Sequence, residues 1–301
     1  MVVAGIRLRN PVIAASGTFG YGVEFERILD LQQLGAFVVK GLSREPIRGN
    51  PPPRLWETTE GMINSVGLQN VGVTAFVRDK LPALRRYDTP VIANVFGYAV
   101  EDYCEVVRVL ENAEGIAAYE LNVSCPNTRC GGMQFSSDPA MLASVVEPVR
   151  KLARRPVIVK LSPNVDRIEP LALAAEAAGA DALSLINTFV ALSIDPVSRA
   201  PRIGNGMGGL SGPAIKPIAL RMVAQAARAV RIPVIGIGGI ACGEDAAEFL
   251  IAGASAVEVG TASFWDPRAT VRIARELERF LAAQRIARAA DLIGKLKPWP
   301  A

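Results

Sequence analysis

"PVIVKLSPNVDRIEPLALAAEAAGADALSLINT" (156–188) holds one complete structural cycle. Its first seven residues form a proline-opened, β-branched run, the pattern of a buried parallel strand. Residues 167–180 then place apolar side chains at helical spacing and stop at Gly179, since a helix end favours glycine. A second apolar run, 182–188, follows at once and finishes in Asn187 and Thr188. Strand, helix and strand in immediate succession form the unit of a parallel α/β sheet.

The same cycle recurs along the chain. Candidate strands are 36–41 ("AFVVKG"), 61–66 ("GMINSV"), 90–95, 118–124, 156–162, 182–188, 233–239 and 256–261. Helical patterns lie at 101–114, 138–153, 167–180, 213–230 and 244–254, with a less regular one around 71–86. Eight strands alternating with helices point to α/β architecture closed as a (β/α)8 TIM barrel rather than an open doubly wound sheet. An N-terminal extension precedes the first of these strands. Two glycine-rich segments, 43–60 and 189–212, leave the carboxyl ends of strands as long loops, on the face where barrels build their sites. The 301 residues, 50% of them hydrophobic, suit one large domain or two modest ones, and the barrel makes them one domain, 1–301.

Composition removes several chemistries. The chain has no histidine, and Cys104, Cys125, Cys130 and Cys242 have no C-x-x-C spacing. That argues against a His/Cys zinc site, a Ser-His-Asp triad and a Cys-His dyad, and no metal site is expected. A net charge of +4 is spread without like-charge blocks, which gives little support to nucleic-acid binding. The opening "MVVAGIRLRNPVIAASG" lacks a signal-peptide pattern, and no apolar run reaches the roughly 18 residues a membrane span needs. The expectation is a soluble, cytoplasmic protein with reduced thiols.

The ends of the strands carry the chemistry. Lys40, Asn64, Ser65, Asn94, Asn122, Lys160, Asn187 and Thr188 close successive runs, and "ELNVSCPNTRCGG" (120–132) sets Cys125 just past one of them. A single strand-end asparagine is a turn residue, and a single buried cysteine is a small hydrophobe. Repeated on matching ends, such side chains would converge on one pocket, since isolated buried polar groups are costly. "GIGGI" (236–240) and "VGTASF" (259–264) supply backbone N–H groups and a hydroxyl where barrels hold a phosphate, and Gly212 before Pro213 adds another amide. Many amides with Lys160 suit a planar heterocycle.

These motifs resemble a known family. "NPVIAASGTFGYG", "VVKGLS", "RGNPPPRLWETTEGMINSVGLQNVG", "ELNVSCPN", "VIVKLSPNV", "SLINT", "GGLSGPAIKPIALRMV", "PVIGIGGI" and "VGTASF" occur in the order found in class 1 dihydroorotate dehydrogenases. "GNPPPR…GLQNVG" is most similar to the class 1B catalytic subunit. The resemblance implies an FMN flavoprotein oxidising (S)-dihydroorotate to orotate in pyrimidine biosynthesis, with hydride passing to flavin N5 and a proton to Cys125. By the same resemblance, flavin contacts fall on Ser16, Lys40, Gly41, Asn94, Asn122, Lys160, Ile186, Gly212, Gly238, Gly239, Gly260 and Thr261. Substrate contacts fall on Lys40, Asn64, Ser65, Val66, Gly67, Leu68, Asn122, Asn127, Asn187 and Thr188. Class 1B further implies a homodimer of barrels joined to a subunit carrying FAD and a 2Fe–2S cluster, a heterotetramer that delivers electrons to NAD. Gly131 and Gly132 would let the Cys125 loop close over substrate; Arg129 and Cys130 receive no role. Alternatives are a fumarate-linked class 1A enzyme, a flavin barrel acting on another dihydropyrimidine, and a Schiff-base aldolase using Lys40 or Lys160.

Overall fold

The computed structural model describes residues 1–124, 126–127 and 133–298. Eight parallel strands close into a barrel: β1 (Val12–Ala14), β2 (Ala36–Val38), β3 (Val91–Val95), β4 (Ala118–Asn122), β5 (Val157–Lys160), β6 (Ala182–Leu185), β7 (Val234–Ile237) and β8 (Ala256–Val259). Each strand pairs with the next in sequence, and β8 returns to β1 with Val257 beside Val12. The TIM-barrel expectation therefore holds, but with one strand exchanged. "GMINSV" is not a stave of the barrel: Gly61–Asn64 lies in a separate antiparallel sheet. The missing stave, β1, comes from the N-terminal segment expected to be an extension. Three buried residues between polar turns are too short a run to show a period.

Alternation along the strands explains what fills the barrel. Successive strand residues face opposite sides. Ile13, Val38, Ile92, Ile158 and Ile235, with Ala36, Ala118, Ala182 and Ala256, form one apolar cluster inside the barrel, closed by Val3, Ile6 and Leu8. The latter come from the hairpin Val2–Val3 and Ile6–Arg7 and from the residue after it, so the N-terminus plugs the floor. Intervening residues such as Phe37, Val91, Tyr119, Val159 and Leu183 belong to the larger cluster between sheet and helices. Two residues beyond the inner floor come Asn94, Glu120, Lys160, Ser184 and Glu258, all buried. A polar layer thus lies above an apolar one.

Around the barrel run α1 (Val100–Glu111), α2 (Pro139–Leu152), α3 (Glu169–Ala177), α4 (Lys216–Ala229), α5 (Gly243–Ala252) and α6 (Ala269–Ala283). The first five match the periodic segments to within a few residues, whereas α6 falls outside the segments singled out in the sequence. The irregular 71–86 segment is helical but interrupted, with a wider turn at Phe76–Lys80 between Val73–Ala75 and Leu81–Leu84. Between β1 and β2 the crossover uses only the short 3-10 turns Val23–Phe25 and Leu31–Gln33. Among the described residues no helix is long and apolar enough to cross a membrane.

The two long loops prove to be partners. Strands Leu55–Thr58, Gly61–Asn64, Met207–Ser211 and Phe189–Leu192 pair antiparallel as one four-stranded sheet. The segment after β2 is thereby tied to the segment after β6, a link that no local pattern announces.

Candidate active site

Above the polar layer opens a cavity of about 540 Å³, within the range of small-molecule and cofactor sites. Every one of the twelve residues expected to contact a flavin lines it, from Ser16 on the β1 side to Gly260 and Thr261 after β8. So do Asn64, Ser65, Val66, Gly67, Leu68, Asn187 and Thr188, which the four-stranded sheet and the end of β6 bring to the opposite wall. Cys125, Arg129, Cys130, Gly131 and Gly132 lie outside the described residues, and of Asn127 only the backbone pairing with Met133 is described.

Several of the amides are already held in place. Asn187 Nδ2 donates to Asn122 Oδ1 at 3.1 Å and to Ser124 Oγ at 3.0 Å, while Thr188 N–H donates to Asn187 Oδ1 at 2.9 Å. The Tyr103 hydroxyl of α1 donates to the Asn122 carbonyl at 2.8 Å, fixing the end of β4 from outside the barrel. Asn64 Nδ2 donates to the Gly209 carbonyl at 3.2 Å. Side chains tied to each other before any ligand arrives need less ordering when one binds.

Two ammonium side chains, Lys40 and Lys160, line the cavity. Lys160 is 6% exposed, and its Nζ stands 3.4 Å from both Glu120 Oε1 and Glu258 Oε2. Burial opposes its charge, but the two carboxyl groups outweigh burial and hold the Lys160 pKa above its ordinary value. Lys40 differs: burial, followed by the nearby Arg54 charge, pushes its pKa down. One ammonium is therefore anchored and the other is the more easily discharged.

Glycines shape the far wall. Gly238 and Gly239 have φ of 125° and 77°, in the region glycine tolerates best. A Cβ on Gly239 would come within 2.9 Å of the Lys216 backbone nitrogen and 3.0 Å of the Gly212 carbonyl oxygen. This bare backbone cradle beside the start of α4 suits the close approach of an anion.

The structure adds residues that sequence reasoning passed over. Asn164 lines the cavity, donates to the Thr188 carbonyl at 3.0 Å and accepts from Val190 N–H at 2.9 Å, so it braces the β6 exit. It stood in the polar burst of "KLSPNV", one step beyond the strand-end rule. Glu120 and Glu258 were also passed over, although a glutamate inside an apolar strand is itself a signal. Cys104 sits buried in α1 and Cys242 caps α5; burial raises both thiols, and neither lines the cavity.

The pattern of the dihydroorotate dehydrogenase family matches residues 1–281. Named relatives align over almost their full lengths. A Solibacter usitatus protein with the provisional name dihydroorotate dehydrogenase A (fumarate) is 70% identical over 98% of this chain and 97% of its own. The dihydroorotate dehydrogenase B (NAD(+)) catalytic subunits of Geobacter sulfurreducens and Geobacter sp. strain M21 are 57% and 54% identical. They cover 98% and 99% of this chain, and 97% of each relative is matched.

Proposed function

The chain belongs to the dihydroorotate dehydrogenase family, and on that premise we propose that it oxidises (S)-dihydroorotate to orotate with FMN held in the barrel mouth. The observation that carries this reading is the convergence of flavin-type and substrate-type residues on a single cavity. The fit to FMN rests on the glycine cradle at Gly239, open to a phosphate, and on the anchored ammonium of Lys160 below the ring of amides. FMN, when bound, supplies the hydride acceptor.

The protein's own residues do the rest. Gly212, Gly238, Gly239, Gly260 and Thr261 hold the phosphate; Ser16, Gly41, Asn94, Lys160 and Ile186 hold the ring. Asn64 through Leu68, Asn127, Asn187 and Thr188 orient the pyrimidine, and Lys40 and Asn122 serve both ligands. Cys125 takes the proton from the carbon beside the ring carbonyl as hydride leaves the neighbouring carbon, and the new C=C bond makes orotate. The thiolate is the competent form, and its reference pKa of about 8.5 lies close enough to neutrality for that work.

The name "catalytic subunit" borne by the Geobacter relatives denotes an assembly with another subunit. We assign this chain, as a single domain 1–301, the same place: a cytoplasmic homodimer of barrels passing electrons to NAD through an FAD and 2Fe–2S partner. The Solibacter relative's name favours a second reading, with fumarate as acceptor. Anaerobically reduced protein that fumarate alone reoxidises rapidly supports fumarate; reoxidation that waits for the partner and NAD supports the first reading.

The founding test is optical. Purified protein is expected to be yellow and to bleach anaerobically with dihydroorotate but not with dihydrouracil. A folded, colourless chain, or equal bleaching by both compounds, defeats the proposal; borohydride trapping of substrate on Lys40 or Lys160 would indicate an aldolase instead. A second expectation concerns the cradle. Gly239→Val meets backbone on two sides and forces an unfavourable φ, with strain of about 1–3 kcal/mol. FMN affinity is expected to fall roughly 10- to 100-fold, and fluorescence titration of apoprotein with FMN showing no change would remove Gly239 from the phosphate site.

A further inference from the structure

Three charged side chains meet in the polar layer between the apolar floor and the cavity: Glu120 on β4, Lys160 on β5 and Glu258 on β8. Glu120 is 0% and Glu258 1% exposed. If both carboxyls were ionised, the group would carry one uncompensated negative charge in a dry interior, where such a charge is prohibitive.

The hydrogen bonds show how the imbalance is removed. Glu120 accepts from Asn94 Nδ2 at 2.6 Å and from Ser184 Oγ at 2.8 Å, besides facing Lys160, as an ionised carboxylate should. Glu258 Oε2 faces Lys160, but its Oε1 is buried with no donor directed at it. Glu120 Oε1 and Glu258 Oε2 both stand 3.4 Å from Lys160 Nζ, which brings the two carboxyls together. Two ionised carboxyls held this close repel, and one proton shared between them relieves the repulsion and leaves the layer neutral.

We propose that Glu120 and Glu258 share one proton, resident mainly on Glu258, so that Glu120, Lys160 and Glu258 form an electrically neutral triad beneath the cavity. Burial and then the Glu120 charge hold Glu258 well above the ordinary carboxyl range, in the same direction. Glu120 moves the other way: burial opposes its charge, and Lys160 with the hydrogen-bond donors overcomes burial. Asn94 from β3 and Ser184 from β6 are the neutral groups that face the pair, and Lys40 is governed instead by burial and Arg54. The carboxyls are positioning residues: they hold the Lys160 ammonium at the cavity floor without adding net charge. Its consequence for a flavin rests on the proposed function, whereas the shared proton does not.

Infrared spectroscopy of the full chain at pH 8 tests the triad. Ordinary carboxyls, with reference values near 4, are ionised there. Wild-type protein is expected to keep one protonated-carboxyl C=O band that shifts when glutamate is labelled with carbon-13, which separates it from flavin carbonyls. The band should vanish in Glu258→Gln and equally in Glu120→Gln, because each leaves a single carboxylate paired with Lys160. Absence of the band from wild type overturns the proposal, as does its survival in Glu120→Gln, which would make burial alone the cause. Should Glu120→Gln fail to fold, unfolding titrations of wild type and Glu258→Gln decide. Native wild type holds a proton that the unfolded chain releases above about pH 4.3, so its stability declines with rising pH by one proton more than that of Glu258→Gln. Equal slopes would refute the shared proton.

Discussion

Cys125→Ala is expected to lower turnover of dihydroorotate by about 10²- to 10⁴-fold, the usual contribution of one well-placed general base, while leaving the protein folded, yellow and able to bind orotate. The carbon beside a ring carbonyl must lose a proton as the adjacent carbon loses hydride, and the chain contains no histidine to take it. The Lys160 ammonium is a poor candidate, because two carboxyls hold it in its charged form. Lys40 is held less firmly, which makes it a rival base among the described residues. Stopped-flow bleaching across pH separates the two. Loss of the base through Cys125→Ala removes the alkaline rise in rate; Lys40→Met with an intact rise leaves the assignment standing. Near-normal bleaching by Cys125→Ala would sink it.

Much of this was legible from local pattern. The β5–α3–β6 cycle shows its period twice over, and its polar tips, Lys160, Asn187 and Thr188, line the cavity as the strand-end rule requires. What failed to show was non-local. "GMINSV" has the composition of a barrel strand, and only pairing with Met207–Ser211, far away in sequence, makes it a wall of the cavity. Gly208 and Gly209 allow that approach, because a Cβ on either would collide with Asn64 or Thr188. β1 was missed for the opposite reason: three residues cannot display a period. Glu120 and Glu258 were visible as charges in strands, but their meeting across the barrel depends on closure, since β4 and β8 are not neighbours. Local spacing names the tips of the staves; closure decides which layers face one another.

Lys160→Met is expected to cost stability and flavin chemistry together, and the two losses separate with pH. Removing one member of a buried ion pair costs about 3–5 kcal/mol, because the remaining charge is stranded. Here the stranded group can escape by taking up a proton. With Lys160 present the Glu120 pKa is depressed; without it, burial, the largest influence, is opposed only by neighbouring hydrogen bonds such as those from Asn94 and Ser184, and the pKa is expected to rise. A carboxyl raised in the folded state contributes stability that is complete below its unfolded value and is lost as pH climbs toward its folded value. The deficit of Lys160→Met is therefore expected to be small near pH 4–5 and to grow by about 1.4 kcal/mol for each further pH unit, read from urea unfolding of mutant and wild type side by side. A deficit independent of pH would show that Lys160 is not the counter-ion of this layer. The flavin effect needs a different control, since an unstable protein loses cofactor for trivial reasons. Glu120→Leu, Lys160→Met and Glu258→Leu combined replace the triad with apolar side chains, an exchange that is often neutral or stabilising. If that triple variant regains the fold yet still binds FMN weakly or is reduced slowly by dihydroorotate, the ammonium acts on the flavin itself. Full recovery of both would confine Lys160 to holding the barrel together.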